Sequence, residues 1–236
     1  MTAGTQVQCC RRKGGGMERN MKKIELGCYV IGMVQTNFYY LHREGEKETI
    51  VFDPADYGRE IYEELKRKGL EIKAIFLTHG HFDHILGVAA LREASGAPVY
   101  ASELERDLLA DPDLNTSSQL RRACTLEADH YLKDGEKVTE AGITMRMIST
   151  PGHTEGSCCY YIEGSETGGD PILISGDTLF EGSVGRTDLP TGSMHEIVES
   201  IRTKLYILPD STQVYTGHGG STSIGYEKKN NFFVTA

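Results

Sequence analysis

Four metal-binding side chains fall within six residues of this chain: His79, His81, Asp83 and His84, in the run Thr78-His79-Gly80-His81-Phe82-Asp83-His84. All four are ligand types for a divalent cation. Ala74 to Leu77 reads as a short buried strand and Ile85 to Ala94 as a helix closed by Gly96, so the run lies in the turn between them. Side chains two apart on extended backbone project to the same side, which aims His79 and His81 together. Asp83 and His84 come after the turn and aim at a second point nearby. Four ligands this close crowd a single tetrahedral ion and suggest two. Chance yields such a His-x-His-x-Asp-His match about once in two thousand chains of this histidine content. The plain alternative is a surface histidine cluster at a helix start.

Three more residues stand in similar settings. His153 lies in Pro151-Gly152-His153-Thr154, Asp177 in Ile174-Ser175-Gly176-Asp177-Thr178, and His218 in Thr216-Gly217-His218-Gly219-Gly220. A glycine beside a ligand lets the backbone turn sharply and approach an ion. Alone, a strand-end histidine is more often a hydrogen-bonded loop residue, and a Gly-Asp pair is usually a turn. Together with the first run they make seven ligands, enough for two ions sharing a carboxylate. Asp53 ends a strand before Pro54; it either orients a ligand histidine from behind or makes an ordinary Asp-Pro turn. Arg186 either meets a substrate carboxylate or pairs with Asp188. Tyr160 and Tyr161 are simplest as strand residues. His42, His130 and His195 lack glycine or ligand neighbours and are set aside.

Positioning these residues requires strands that end beside one another. Ile24 to Val34, Asn37 to His42 and Thr49 to Phe52 read as strands, and Arg59 to Lys68 as an amphipathic helix with Ile61, Tyr62 and Leu65 on one stripe and Gly69 as its stop. Val99 to Ala101 is a short strand, followed by helical or irregular chain to about Glu127. The second half repeats the theme with strands at Ile143 to Ser149, Ser157 to Glu163 and Pro171 to Ser175, a helix at Met194 to Leu205, a strand at Val214 to Thr216 and a final short helix or coil. Strands clustered with helices in each half predict two packed sheets with helices outside. With no Pro/Gly/Ser linker to split it, residues 22–236 are expected to form one domain.

Composition narrows the setting. A net charge of -9 over 236 residues disfavours nucleic acid as a partner. No apolar run reaches the length of a membrane span. Residues 1–21 hold Cys9-Cys10-Arg11-Arg12-Lys13 and Gly14-Gly15-Gly16 but no apolar centre. They read as a disordered tail rather than a secretory signal, with Met1, Met17 and Met21 as alternative starts. The six cysteines, Cys9, Cys10, Cys28, Cys124, Cys158 and Cys159, include no Cys-x-x-Cys pair, which favours a reduced cytoplasm. Adjacent strand residues face opposite ways, so one of Cys158 and Cys159 is expected in a core.

On His79-x-His81-x-Asp83-His84, then His153, Asp177 and His218 in that order, the chain resembles the metallo-β-lactamase fold superfamily from about Ile24 to Phe233. The resemblance implies an α/β fold, a four-layer αβ/βα sandwich with the site at one edge. It also implies that His79, His81 and His153 hold one metal, that Asp83, His84 and His218 hold the second, and that Asp177 bridges them. Asp177 where a cysteine would mark a zinc β-lactamase argues against that activity. Gly176-Asp177-Thr178-Leu179-Phe180 with Gly185-Arg186-Thr187-Asp188 is similar to the hydroxyacylglutathione hydrolase (glyoxalase II) group, and also to persulfide dioxygenases. Glyoxalase II proper carries a C-terminal helical region that grips glutathione. Here eighteen residues follow His218, with Lys228 and Lys229 their basic residues, so a short form is expected.

The chemistry expected is hydrolysis. Two divalent ions, zinc first and iron or manganese as alternatives, lower the pKa of a bound water to about 7. The resulting metal-bound hydroxide attacks a thioester such as S-lactoylglutathione, with Asp83 accepting a proton. The substrate is expected to be a small molecule, with neither nucleic acid nor membrane as partner. The alternatives are a persulfide dioxygenase using one iron, a lactone or phosphodiester hydrolase or nuclease of the same superfamily, and a non-enzymatic metal-binding protein.

Overall fold

Alternation along the strands sorts apolar side chains into layers, and the topology stacks those layers in a computed structural model that describes residues 22–235. The first sheet holds β1 (Ile24–Ile31), β2 (Thr36–Arg43), β3 (Glu48–Phe52), β4 (Glu71–Phe76), β5 (Val99–Ser102) and β6 (His130–Leu132), side by side in that order. The first three run antiparallel to their neighbours, and β3 to β6 run parallel. Parallel neighbours need crossovers. These carry α1 (Gly58–Arg67), α2 (Phe82–Ile85), α3 (Val88–Ser95) and α4 (Arg106–Ala110).

The second sheet is built from β7 (Lys137–Glu140), β8 (Ile143–Ser149), β9 (Cys158–Ile162), β10 (Ile172–Gly176), β13 (Gln213–Thr216) and β14 (Thr222–Ser223), in the order β14-β13-β10-β9-β8-β7. A short helix α5 (Gly164–Thr167) joins β9 to β10. A small ribbon of β11 (Leu179–Phe180) and β12 (Ser183–Val184), then α6 (Met194–Ser200), lie between β10 and β13; α7 (Ile224–Asn230) follows β14.

Three buried clusters make the layering explicit. Tyr39, Leu41, Phe52 and Phe76 of the first sheet meet Met145, Met147, Cys158 and Tyr160 of the second in a shared central layer. Phe38, Val51 and Ile75 turn the other way, onto Ile61, Leu65, Val88 and Leu91 of α1 and α3. Cys159, Tyr161 and Leu173 turn outward onto Ile197 and Ile201. Each large apolar side chain so buried contributes roughly 1.5–3 kcal/mol. The result is the four-layer αβ/βα sandwich. α1 forms because Ile61 and Leu65 share its buried face, with Glu60 in the first turn and Lys66 and Arg67 in the last, matching the helix dipole.

Several expectations need correcting. Both Cys158 and Cys159 are buried, because both faces of the second sheet are covered. The expected helix over Ile85 to Ala94 is two helices parted at Gly87, whose amide donates to the Pro54 carbonyl at 2.8 Å and so leaves the helical register. The Met194 to Leu205 helix passes into a wider π turn over Ile201–Leu205. The edge strands β6, β7 and β14, the β11–β12 ribbon and α5 carried no periodic signal long enough to read. The expected tail over 1–21 and its alternative starts lie outside the described residues. No helix among the described residues is long and apolar enough to cross a membrane, and Cys28, Cys124, Cys158 and Cys159 are free thiols.

Candidate metal centre

Strand ends assemble the site. β8 and β9 are antiparallel, as are β9 and β10, and β10 runs parallel to β13, so the C-terminal ends of β8, β10 and β13 share one edge. His153, Asp177 and His218 follow those three ends. The end of β4, which leads to His79, is tied to the same edge by the Cys158 amide on the Thr78 carbonyl at 2.9 Å. The start of β2 is tied there too, by the Asn37 amide on the Gly217 carbonyl at 2.7 Å.

Behind the first run stands Asp53, at φ 50, a backbone region that residues other than glycine rarely adopt. Its carboxylate accepts the Thr78 amide at 2.8 Å and the Thr78 hydroxyl at 2.7 Å. Since Thr78 Oγ1 spends its proton on Asp53, it accepts from His79 Nδ1, 3.1 Å away. That assigns the Nδ1–H tautomer to His79 and leaves its Nε2 lone pair facing inward. His153 is fixed likewise, with Nδ1 donating to the Arg186 carbonyl at 2.7 Å. The Nε2 of His153 lies 3.2 Å from His79 Nε2 and 2.9 Å from His81 Nδ1. Three ring nitrogens thus converge on one point, two of them with lone pairs turned to it.

The second group adjoins the first. Asp83 Oδ2 accepts the Thr36 hydroxyl at 2.9 Å and lies 3.2 Å from His218 Nε2 and 3.5 Å from His84 Nε2. Asp177 reaches both groups: Oδ1 is 3.4 Å from His84 Nε2, and Oδ2 is 3.5 Å from His218 Nε2 and 3.6 Å from His153 Nε2. Asp53 Oδ2 comes within 3.0 Å of His84 Nδ1, a charge contact whose angle does not make a hydrogen bond. The expected hydrogen bond from Asp53 to a ligand histidine is thus not made; Asp53 acts on His79 through Thr78 instead.

These residues fit a pair of cations. Donor atoms of His79, His81 and His153 lie within 4.8 Å of one another, as do those of Asp83, His84 and His218, and those of His79, His84 and Asp177. His81 Nε2, both ring nitrogens of His84 and Asp177 Oδ1 are buried without hydrogen-bond partners, which a folded chain rarely leaves so unless something else satisfies them. At Gly217 any Cβ would lie 2.0 Å from Asp177 Oδ1, so only glycine lets the last strand end close on the cluster.

With its own charges alone the cluster is polarised. Burial, reinforced by neighbouring His84 and His153, drives His79 well below the usual histidine value, and burial with His153 takes His81 to about 3. Both are therefore neutral and available as ligands. Burial acts in the same direction on His84, yet Asp83, Asp177 and Asp53 overcome it and hold its pKa well above normal. His218 is raised to about 10 against its burial, by hydrogen bonds to Asp177 and Asp83. Burial would raise both carboxyls, but Asp177 is held well below its ordinary range by His84 and His218, and Asp83 is lowered by the same pair. The site demands positive charge, and without a cation the protons on His84 and His218 supply it.

Solvent reaches the cluster from the side of His218 and Asp83, whose side chains are 27% and 14% exposed, against 3% for His153. Phe180 borders that side, its ring edge-on to His218 at 6.3 Å. A cleft of about 400 Å³ lies elsewhere, beside Glu103, Leu104, Glu155 and Thr191, and none of the seven residues lines it. Arg186 pairs with Asp188 through both Nε and Nη2, at 2.7 and 2.8 Å, rather than turning inward. His42, His130 and His195 lie outside the cluster. Thr36 and Thr78 were not anticipated; nothing in their local sequence marks them, since their roles arise from contacts across 47 and 25 residues.

Comparison with known proteins agrees with this geometry. Residues 31–218 match the model of the metallo-beta-lactamase superfamily. A probable metallo-hydrolase of Bacillus subtilis, YqgX, is 37% identical over 86% of this chain and 94% of its own. The hydroxyacylglutathione hydrolase GloC of Haemophilus influenzae is 32% identical over 82% of this chain and 90% of its own. Among solved structures, the B3 metallo-beta-lactamase BLEG-1 superposes with TM-score 0.82 at 41% identity, covering 89% of this chain and all of its own. TTHA1623 in a di-iron-bound form superposes with TM-score 0.75 at 32% identity, covering 88% and 99%.

Proposed function

The chain belongs to the metallo-beta-lactamase superfamily and is a metallo-hydrolase, and on that premise we propose that it cleaves acyl thioesters of the S-lactoylglutathione kind with two metal ions. The observation that carries this is the convergence of seven buried or half-buried donors into two adjoining groups spanned by Asp177. In this reading His79, His81 and His153 hold one ion, Asp83, His84 and His218 the other, and Asp177 both. The Haemophilus relative, named for thioester hydrolysis, supports the substrate class. Zinc suits the mixed imidazole and carboxylate donors, as does iron, the metal of the TTHA1623 structure.

When bound, such a pair supplies a water that ionises near neutrality and Lewis acidity toward a carbonyl oxygen. The chain's own residues do the rest. Asp83, held ionised beside His84 and His218, would help hold the second ion and would be the carboxylate placed to take up a proton there. Thr36 donates to Asp83 Oδ2 and fixes the carboxylate's rotation. Thr78 and the Arg186 carbonyl set the tautomers of His79 and His153, keeping the correct nitrogen unprotonated. Phe180 offers an apolar edge at the opening, where an acyl group would pass.

The likeness to BLEG-1 favours a second reading, hydrolysis of a β-lactam amide. One assay panel decides: S-lactoylglutathione, a simple lactone, a phosphodiester and a β-lactam, run on protein of measured metal content. Thioester turnover abolished by Asp177→Ala is expected. Turnover of the β-lactam alone would transfer the assignment to the second reading. One iron per chain with oxygen uptake on glutathione persulfide would defeat both.

A further inference from the structure

Glu105 is 1% exposed, and the proposed chemistry makes no use of it. It ends the tight turn Glu103–Glu105 ahead of α4, where the Ser102 hydroxyl caps the turn by accepting the Leu104 amide. Its Oε1 accepts the Thr154 hydroxyl, and its Oε2 has no hydrogen-bond partner. Thr154 is the hub of the loop after β8. Its hydroxyl lies 2.7 Å from Ser157 Oγ, its amide donates to the same oxygen, and its carbonyl accepts the Gly152 amide at 2.9 Å.

The backbone around Glu105 is wedged between two loops. A Cβ at Gly156 would lie 2.5 Å from Glu105 N, and a Cβ at Gly80 would lie 2.8 Å from the ends of both Leu108 and Leu109. Gly80 stands between His79 and His81; Thr154 directly follows His153. We infer that Glu105 is a positioning residue, whose buried carboxyl pins the loop of His153 against the loop of His79 and His81.

Carrying an acid here has a cost. Burial pushes its carboxyl up to about 7, the Thr154 hydroxyl pulls the other way, Glu155 adds to the rise and the Gly80 amide opposes it. An apolar residue would avoid that cost and fill the space, but it would leave the Thr154 hydroxyl to Ser157 Oγ, within its own loop, and remove its hold on the turn before α4. The inference rests on the metal reading above, since what Glu105 positions is the first group of donors.

Cobalt(II) titration of metal-free protein tests it, followed by visible absorption and calorimetry, with melting temperatures recorded alongside. Glu105→Ala and Thr154→Val are each expected to weaken cobalt binding about tenfold or more, while Glu105→Gln, which keeps an acceptor for Thr154, stays within about threefold of the parent. Should Glu105→Ala not fold, Thr154→Val against Glu105→Gln carries the comparison. Unchanged cobalt affinity in Thr154→Val, or a Glu105→Gln protein as weak as Glu105→Ala, overturns the inference. A parent protein that binds no cobalt removes the metal reading itself, a result distinct from losses confined to the variants.

Discussion

Asp53 holds more of the site than any other residue outside the seven donors. Its two oxygens take both hydrogen-bonding groups of Thr78, and one of them also faces His84 Nδ1. Asp53→Asn replaces one acceptor oxygen with a donor amide, against an amide or hydroxyl that is also a donor. The expected loss is about 1–3 kcal/mol in urea melts, with metal affinity down about 10–100-fold. Melts and titrations matching the parent would reduce Asp53 to an ordinary turn residue. This residue also marks how far sequence reaches. An aspartate before proline at a strand end is visible as a candidate, and so were the seven donors, because glycine and histidine at strand ends leave a local mark. Thr36 and Thr78 leave none: a threonine in a β-branched stretch looks the same whether or not its hydroxyl meets a carboxylate from a distant loop.

At the scale of elements, close approach of backbones is the governing constraint. The longer strands β2 and β8 were legible; two-residue strands such as β11 and β14, whose pairing is set by tertiary contacts, were not. Two glycine positions separate site effects from scaffold effects. Gly217→Ala places a methyl 2.0 Å from Asp177 Oδ1. The strand end must retreat, so hydrolysis should fall at least about tenfold by loss of the second ion, read by metal analysis of folded protein. Gly58→Ala instead puts a methyl 2.0 Å from the Gly87 carbonyl where α1 crosses the start of α3. That overpacking should destabilise by about 1–3 kcal/mol in urea melts, with metal content per folded molecule unchanged. If both variants lost metal equally, the division between scaffold and site would be wrong.

For the molecule as a whole, charge links metal, protons and stability. The folded metal-free protein holds a proton on His218 up to a pKa of about 10, above the ordinary value near 6.5. A raised folded pKa stabilises the protonated native state. That contribution is fully present below about pH 6.5 and is lost as pH climbs through about 10. Metal-free protein should therefore melt progressively lower across that window. A cation binding at His218 must displace the same proton, so metal affinity should rise with pH over the same range, and calorimetry at pH 7 in buffers of different ionisation enthalpy should register proton release. Equal apparent enthalpies in both buffers would contradict the assignment of protons to His84 and His218.

The edge where the two sheets meet has a consequence for how the protein comes into being. His79 to His84 follow a strand of the first sheet, whereas His153, Asp177 and His218 follow strands of the second, and β2 is stitched to the end of β13 through Asn37 and Gly217. A chain emerging from the ribosome presents its first donors long before its last, and the early half has nothing to close against. In the two-ion reading the second group is thus completed last, and its filling should track the appearance of His218 rather than of the histidine run that first betrays the site.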